Sequence, residues 1–192
     1  MPSESAALAG NSLVAAIDAL LPQTQCTRCG FDGCLPYAES LAAGTAELNR
    51  CPPGGTATID RLAALLGRPA LPLDESCGRE SPPLVAWIDP ARCIGCARCL
   101  PPCPTDAIIG ARRLLHTVLA VDCMGCELCV PACPADCIVI RPRSPEDGPA
   151  PTADDNRRRY LAHNERAQRR TAEEAALLAE RKRRVDTPDI PS

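Results

Sequence analysis

Aromatic side chains are nearly missing from this chain, with one Trp, two Tyr and one Phe among 192 residues. So few large side chains cannot build ordinary cores, and domains below about 70–80 residues then need a staple of another kind. Long apolar runs are absent as well. None reaches the roughly 18 residues that a membrane-spanning helix requires. The N-terminal stretch MPSESAALAGNSLVAAIDALLP has no basic leading segment, carries Glu4, and sets Asp18 among its apolar residues. That pattern excludes a secretory signal. No Gly-rich dinucleotide loop or flavin site is recognisable either, so no catalytic site is expected on this chain alone.

Cysteine is what the chain has in quantity, fourteen in all. In so short a sequence this leaves a disulfide scaffold or a metal protein. Without an export signal the expected compartment is the reducing cytoplasm, where the thiols serve as metal ligands. Metal would then act as the staple, and the metal-free chain would be largely unfolded.

The densest cysteine stretch contains CIGCARCLPPCPTDAI from Cys93 and CMGCELCVPACPADCI from Cys123. The two share Cys-x-Gly-Cys-x-x-Cys-x-Pro-x-Cys-Pro-x-Asp-x-Ile at an offset of thirty residues, an internal duplication. Each half matches the C-x2-C-x2-C-x3-C-P run that holds [4Fe–4S] clusters. Three cysteines two residues apart let one loop curl around three iron corners, while the fourth, beside Pro, ligates the other cluster. One cluster therefore takes Cys93, Cys96, Cys99 and Cys133, and the other Cys123, Cys126, Cys129 and Cys103. Gly95 and Gly125 lie inside the ligand loops, where a missing Cβ permits close backbone approach. Pro104 and Pro134 fix φ and bias the preceding cysteine toward extended backbone. Structural zinc prefers two pairs split by a longer loop and fits this spacing poorly. Cys137 stands opposite Ala107 in the duplication, so it is read as a small buried residue and not a ligand. His116, in the spacer, is read as a surface or hydrogen-bonded side chain.

A second constellation lies in residues 23–67, where Cys26, Cys29, Cys34 and Cys51 are spaced x2, x4 and x16. Gly30 and Gly33 flank the third of them. Spacing alone leaves zinc open here, because two pairs separated by a loop are normal for it. Short helices are expected over Leu35–Ala43, ended by Gly44, and over Ile59–Leu66, stopped by Gly67 and Pro69.

Elsewhere the pattern is simpler. Residues 1–11 read as frayed, and Ser12–Leu21 as a core-facing helix capped by Ser12 and closed by Pro22. Residues 68–83 read as a linker, with Cys77 a spare thiol on it. Leu84–Ile88 and Leu114–Val121 read as equivalent strands, with Ile108–Ile109 and Ile138–Ile140 as their hairpin partners. Ile94, Leu100, Ile108, Met124, Val130 and Ile138 are the expected apolar shell of the clusters. Beyond residue 143 a linker leads to a charged helix over about Asp155–Val185, net +3 between Asp154 and Asp186, against −5 for residues 1–153. Its basic runs alternate with Glu and lack aromatics, which favours a solvated helix over nucleic-acid binding.

Residues 12–142 resemble the B-type subunit of the Rnf-type (Rsx-type) electron transport complex. The likeness rests on IDALLPQTQCTRCGFDGCLPYAE, NRCPPGG, VAWID and the two ferredoxin motifs with RRLLHTV between them. It implies an N-terminal [4Fe–4S] cluster on Cys26, Cys29, Cys34 and Cys51, joined to a two-cluster ferredoxin. It also implies membrane-complex partners that couple electron transfer to ion movement. Members of that family start with a transmembrane anchor, which this sequence is read as lacking.

The expected fold is α+β, with five segments: an N-terminal helix (1–22), a small helical four-Cys iron–sulfur domain (23–67) and a linker (68–83). A bacterial 2[4Fe–4S] ferredoxin-like domain with two short β-hairpins and two short helices (84–142) follows, then a linker and charged helical tail (143–192). Three [4Fe–4S] clusters are expected, relaying single electrons to redox partner proteins. The alternative is a stand-alone soluble ferredoxin that serves a cytosolic oxidoreductase or a redox-sensing regulator. A cytoplasmic location, with peripheral attachment to the cytoplasmic face of the inner membrane left open, completes the reading.

Overall fold

The structure is a computed structural model that describes residues 4–186, with side chains from 11 to 184. Residues 1–3 of the segment read as frayed, and 187–192 of the tail, lie outside the described residues. The element order is α1 (Glu4–Leu20), α2 (Cys34–Ala42), α3 (Gly55–Leu66), β1 (Leu84–Ile88), β2 (Ile108–Ile109), β3 (Thr117–Val118), β4 (Ile138–Pro142) and α4 (Ala153–Asp186). The α+β class expected from the sequence is what is observed.

Two separate cores form, one on each side of residues 68–83. The first gathers Ile17 and Leu21 from the end of α1, Tyr37, Ala38 and Leu41 from α2, and Ile59, Leu62 and Ala63 from α3. These positions recur at three- and four-residue steps, one stripe per helix. The second core is made of Val85, Ala86, Ile88, Ala107, Ile108 and Ile138 together with five cysteines. Thiols fill the place that aromatic residues take in other small cores.

α1 begins at Glu4, not Ser12, because the Ala-rich stretch before Ser12 has high intrinsic helix propensity. α3 likewise starts four residues before Ile59, at Gly55. Both helix ends named by glycine hold: Gly67 caps α3 in the left-handed region at φ 62°, and Gly44 follows α2 at φ 71°.

The strands pair across the whole second unit. β1 runs antiparallel to β4 with Ile88 opposite Ile138, and β2 runs antiparallel to β3 with Ile108 opposite Val118. Shifting the first pair by the thirty-residue offset produces the second, so the duplication in sequence is a pseudo-two-fold in structure. The backbone repeats it in detail. Gly95 and Gly125, Ala97 and Glu127, and Asp106 and Asp136 all take positive φ. Of the stretch Leu114–Val121 only Thr117–Val118 forms a strand, and the two short helices expected within 84–142 are turns plus one 3-10 turn at Ala120–Asp122. Pro101, Pro102, Pro104, Pro131 and Pro134 interrupt these segments and leave no room to complete α-helical turns.

α4 lies across both units with its first four turns and leaves them with the rest. Asn156 donates to the Pro22 carbonyl at 3.2 Å, and Arg157 pairs with Asp18 at 3.0 Å, both on the first unit. Arg159 pairs with Asp122, while His163 and Arg166 reach Asp106 on the second. Residues 165–184 are exposed throughout.

Candidate iron–sulfur centres

Three small cavities open inside the protein, and the twelve cysteines expected to bind clusters line them four at a time. The first is walled by Cys26, Cys29, Cys34 and Cys51, the second by Cys103, Cys123, Cys126 and Cys129, and the third by Cys93, Cys96, Cys99 and Cys133. Non-atom space in the three, open mouths included, is about 280, 330 and 270 Å³. The fourth cysteine of each motif lines a cavity with the first three of the other.

In the N-terminal cavity a buried polar ladder sets the loop. Gln23 donates to the Asp18 carbonyl and carboxylate at 2.8 Å, Gln25 donates to Gln23 at 2.9 Å, and the Cys34 N–H donates to Gln25 at 2.9 Å. This last bond satisfies an open N–H at the start of α2, where Gly33 has no side chain to cap it. Gln23, Gln25 and Thr27 all hold positive φ, a strained run that the ladder keeps in place. The return segment is pinned from the other side. Tyr37 donates to the Glu47 carbonyl at 2.8 Å and accepts from the Arg50 N–H, while Arg50 donates to the Cys29 carbonyl at 3.1 Å. Sequence reasoning passed over the two glutamines. Their one signal was polar residues alternating into a cysteine run.

Cys77, read as a spare thiol on a mobile linker, is instead buried. A 3-10 turn at Glu75–Cys77, capped by Asp74, carries it, with its Sγ 3.7 Å from the Asp74 carboxylate. Ile94 is 67% exposed yet lines the cavity with Cys93, Cys96, Cys99 and Cys133, so it stands at that cavity's open mouth. Ile108, Met124 and Ile138 are buried as expected.

In the paired centres backbone N–H groups point at sulfur. Ala107 N–H donates to Cys103 Sγ at 3.2 Å, and Ala86 N–H to Cys123 Sγ at 3.5 Å. Arg143 fixes the approach to Cys123 by donating to the carbonyls of Ala120 and Cys123, both at 2.8 Å. His116 is buried, with Nδ1 3.5 Å from Cys93 Sγ, so it is a hydrogen-bonded side chain and not a surface one. Cys137 is buried with its sulfur 3.3 Å from that of Cys133.

Burial pushes the thiols of Cys34, Cys126 and Cys129 up to about 12 and that of Cys99 to about 11. Left alone these groups stay protonated, so binding a cationic centre must release protons. Among the described residues no three His, Cys, Asp or Glu side chains close on a point that one metal ion could occupy. At least four thiols line each cavity, Cys137 adding a fifth to the third, and such a set suits a cluster larger than a single ion. The donor sets fit [4Fe–4S] ligation.

Comparison with known proteins agrees. The 4Fe-4S dicluster domain family matches residues 86–140, and the Fe-S cluster family matches residues 21–53. The chain is similar to proteins from several bacteria that are named as the B-type subunit of an ion-translocating oxidoreductase complex. It is 61% identical to that of Alkalilimnicola ehrlichii over 112 residues, 57% of this chain and 60% of the relative. Against Thiobacillus denitrificans the identity is 54% over 58% of this chain and 59% of the relative. Against Pseudomonas paraeruginosa it is 55% over 58% and 57%. The aligned part thus spans about three fifths of the length of these relatives. No solved structure matches the chain. Across residues that include both matched iron–sulfur families, this chain is similar to the B-type subunits of ion-translocating oxidoreductase complexes.

Proposed function

We propose that the chain relays single electrons through three [4Fe–4S] clusters, held by Cys26, Cys29, Cys34 and Cys51; by Cys103, Cys123, Cys126 and Cys129; and by Cys93, Cys96, Cys99 and Cys133. When bound, each cluster supplies a carrier for one electron at a time. The protein's task is to hold these sites apart from water, in sequence and at fixed separation. The observation that carries the reading is three cavities in one chain, each lined by four or more thiols, two related by a pseudo-two-fold and the third set against one of them.

Their order follows from contacts. Arg28, inside the Cys26–Cys29 loop, pairs with Glu127, inside the Cys126–Cys129 loop, at 2.5 Å. Cys129 in turn shares one buried core with Cys99 of the remaining cavity. The cavity with Cys103, Cys123, Cys126 and Cys129 is thus the middle of the row. The domain division that goes with this is an N-terminal helix and four-Cys unit up to residue 67, a linker to 83, a two-cluster unit to 142 and a charged helical tail.

The partners that fit are further subunits of an ion-translocating oxidoreductase complex, as the relatives' names state for them. No helix among the described residues is long and apolar enough to cross a membrane. Anaerobic reductive titration tests the reading: about three electrons per chain are expected, one per cluster. An uptake of two places no cluster at the N-terminal cysteines, and no uptake removes the relay.

A further inference from the structure

The thirty-residue duplication is broken next to the thiolates, and the breaks fall on one side. Pairing Ile88 with Ile138 and Ile108 with Val118 fixes which residues are equivalent. Under that equivalence Ala86 corresponds to His116, Ala107 to Cys137, and Ile140 to Gly110. In the Cys103/Cys123/Cys126/Cys129 cavity, the residues at the first two positions touch sulfur only through backbone N–H groups. In the Cys93/Cys96/Cys99/Cys133 cavity both positions carry side chains that touch sulfur: the His116 ring at Cys93 and the Cys137 thiol at Cys133. Both also line that cavity.

The His116 ring is built in. A Cβ on Gly110 would lie 2.4 Å from His116 Cδ2, so glycine at the position equivalent to Ile140 clears the space the ring occupies. A ligating thiolate carries no proton, so at Cys93 the ring must contribute the hydrogen, from Nδ1. Nε2 then remains a buried acceptor with no partner among the described residues. The same argument holds at the second contact. Cys133 as a ligand has no hydrogen to give, so the thiol of Cys137 donates and Cys133 accepts.

Given the cluster assignment above, we infer that His116 and Cys137 are positioning residues that donate hydrogen bonds to the sulfurs of Cys93 and Cys133 and raise the reduction potential of the cluster held there above that of its pseudo-symmetric partner. A donor aimed at a ligand sulfur stabilises the more negative, reduced state, and such bonds are among the determinants of cluster potential. The end of the row farthest from the N-terminal cysteines is then the lower-energy resting place for an electron within the duplicated unit.

The test is an anaerobic redox titration of the full chain followed by electron paramagnetic resonance, on the native protein, His116→Ala, Cys137→Ala and Cys137→Ser, with iron content measured on each. His116→Ala and Cys137→Ala each lower the higher of the two duplicated-unit midpoints and leave the other in place. The expected size is about a tenfold drop in the reduced-to-oxidised ratio, or about 59 mV for one electron. Cys137→Ser, which keeps a donor, restores most of the difference. Midpoints unmoved in both alanine variants, or movement of the lower one, overturns the inference. A Cys137→Ala chain that loses about four irons also overturns it, by making Cys137 a ligand. A native chain with no reducible clusters instead removes the relay reading itself.

Discussion

Arg28 and Glu127 meet at 2.5 Å, and each stands between two cysteines of a different cluster site. One ion pair thereby sets the N-terminal cavity against the middle one of the row. Each side chain is about one third exposed, so solvent screens the pair and its worth to stability is at most about 1 kcal/mol. Its importance lies in registry. Glu127→Lys is expected to leave the thermal midpoint nearly unchanged while proteolysis within residues 68–83 speeds up several-fold. Equal cleavage rates would show that this pair does not hold the units together.

α4 adds a second tie across the units. Asp18 and Asp122 are only 14% and 13% exposed, so removing their arginines leaves two poorly hydrated carboxylates without a cationic partner. Arg157→Ala combined with Arg159→Ala should destabilise the chain by about 1–3 kcal/mol in urea unfolding. Residues 167–184 are exposed throughout, and ending the chain after Arg166 should change stability by less than about 0.5 kcal/mol. A large loss from that truncation would mean that the distal half of α4 has partners within the fold.

The duplicated backbone makes opposite predictions at two kinds of left-handed residue. A Cβ at Gly125 would stand 2.6 Å from the Leu84 carbonyl oxygen, and one at Gly95 would stand 2.8 Å from that of Leu114. Gly125→Ala should therefore cost more than about 1 kcal/mol. Ala97 already carries its Cβ at φ 62°, and Ala97→Gly should stabilise by about 0.5–1 kcal/mol. Chemical denaturation of the loaded protein measures both.

A tightly held carboxylate makes stability depend on pH. Asp147 accepts from both Arg141 Nη atoms at 2.6 and 2.7 Å and from the Ser144 N–H at 2.7 Å, which holds its carboxyl far below the usual range. A depressed folded value contributes stability that is full above the unfolded value, near 3.9. That contribution fades as pH falls toward the folded value. Urea midpoints of the native chain should thus drop between about pH 5 and 3 more steeply than those of Asp147→Asn. Parallel slopes would remove this group from the acid response.

The cysteine run revealed most of the site because ligand spacing is a local code: Cys93–Cys99 and Cys123–Cys129 each write one loop. That Cys103 and Cys133 each line a cavity with the other motif's cysteines was legible through the prolines that follow them. What stayed hidden was long-range. Nothing near Cys77 signals that a 3-10 turn folds it inward, and nothing near His116 announces the space cleared by Gly110. The first turns of α1 were misjudged because small residues look frayed until helix propensity is summed over them. α4's length was readable from its charge pattern, but its pairing with Asp18, Asp106 and Asp122 was not, since each partner lies far away along the chain.

Metal and sulfide analysis of anaerobically prepared protein tests the three-cluster account most directly. About twelve iron and twelve acid-labile sulfide per chain, with no zinc, is the predicted result. About eight iron with one zinc would contradict it, by assigning Cys26, Cys29, Cys34 and Cys51 to a structural ion.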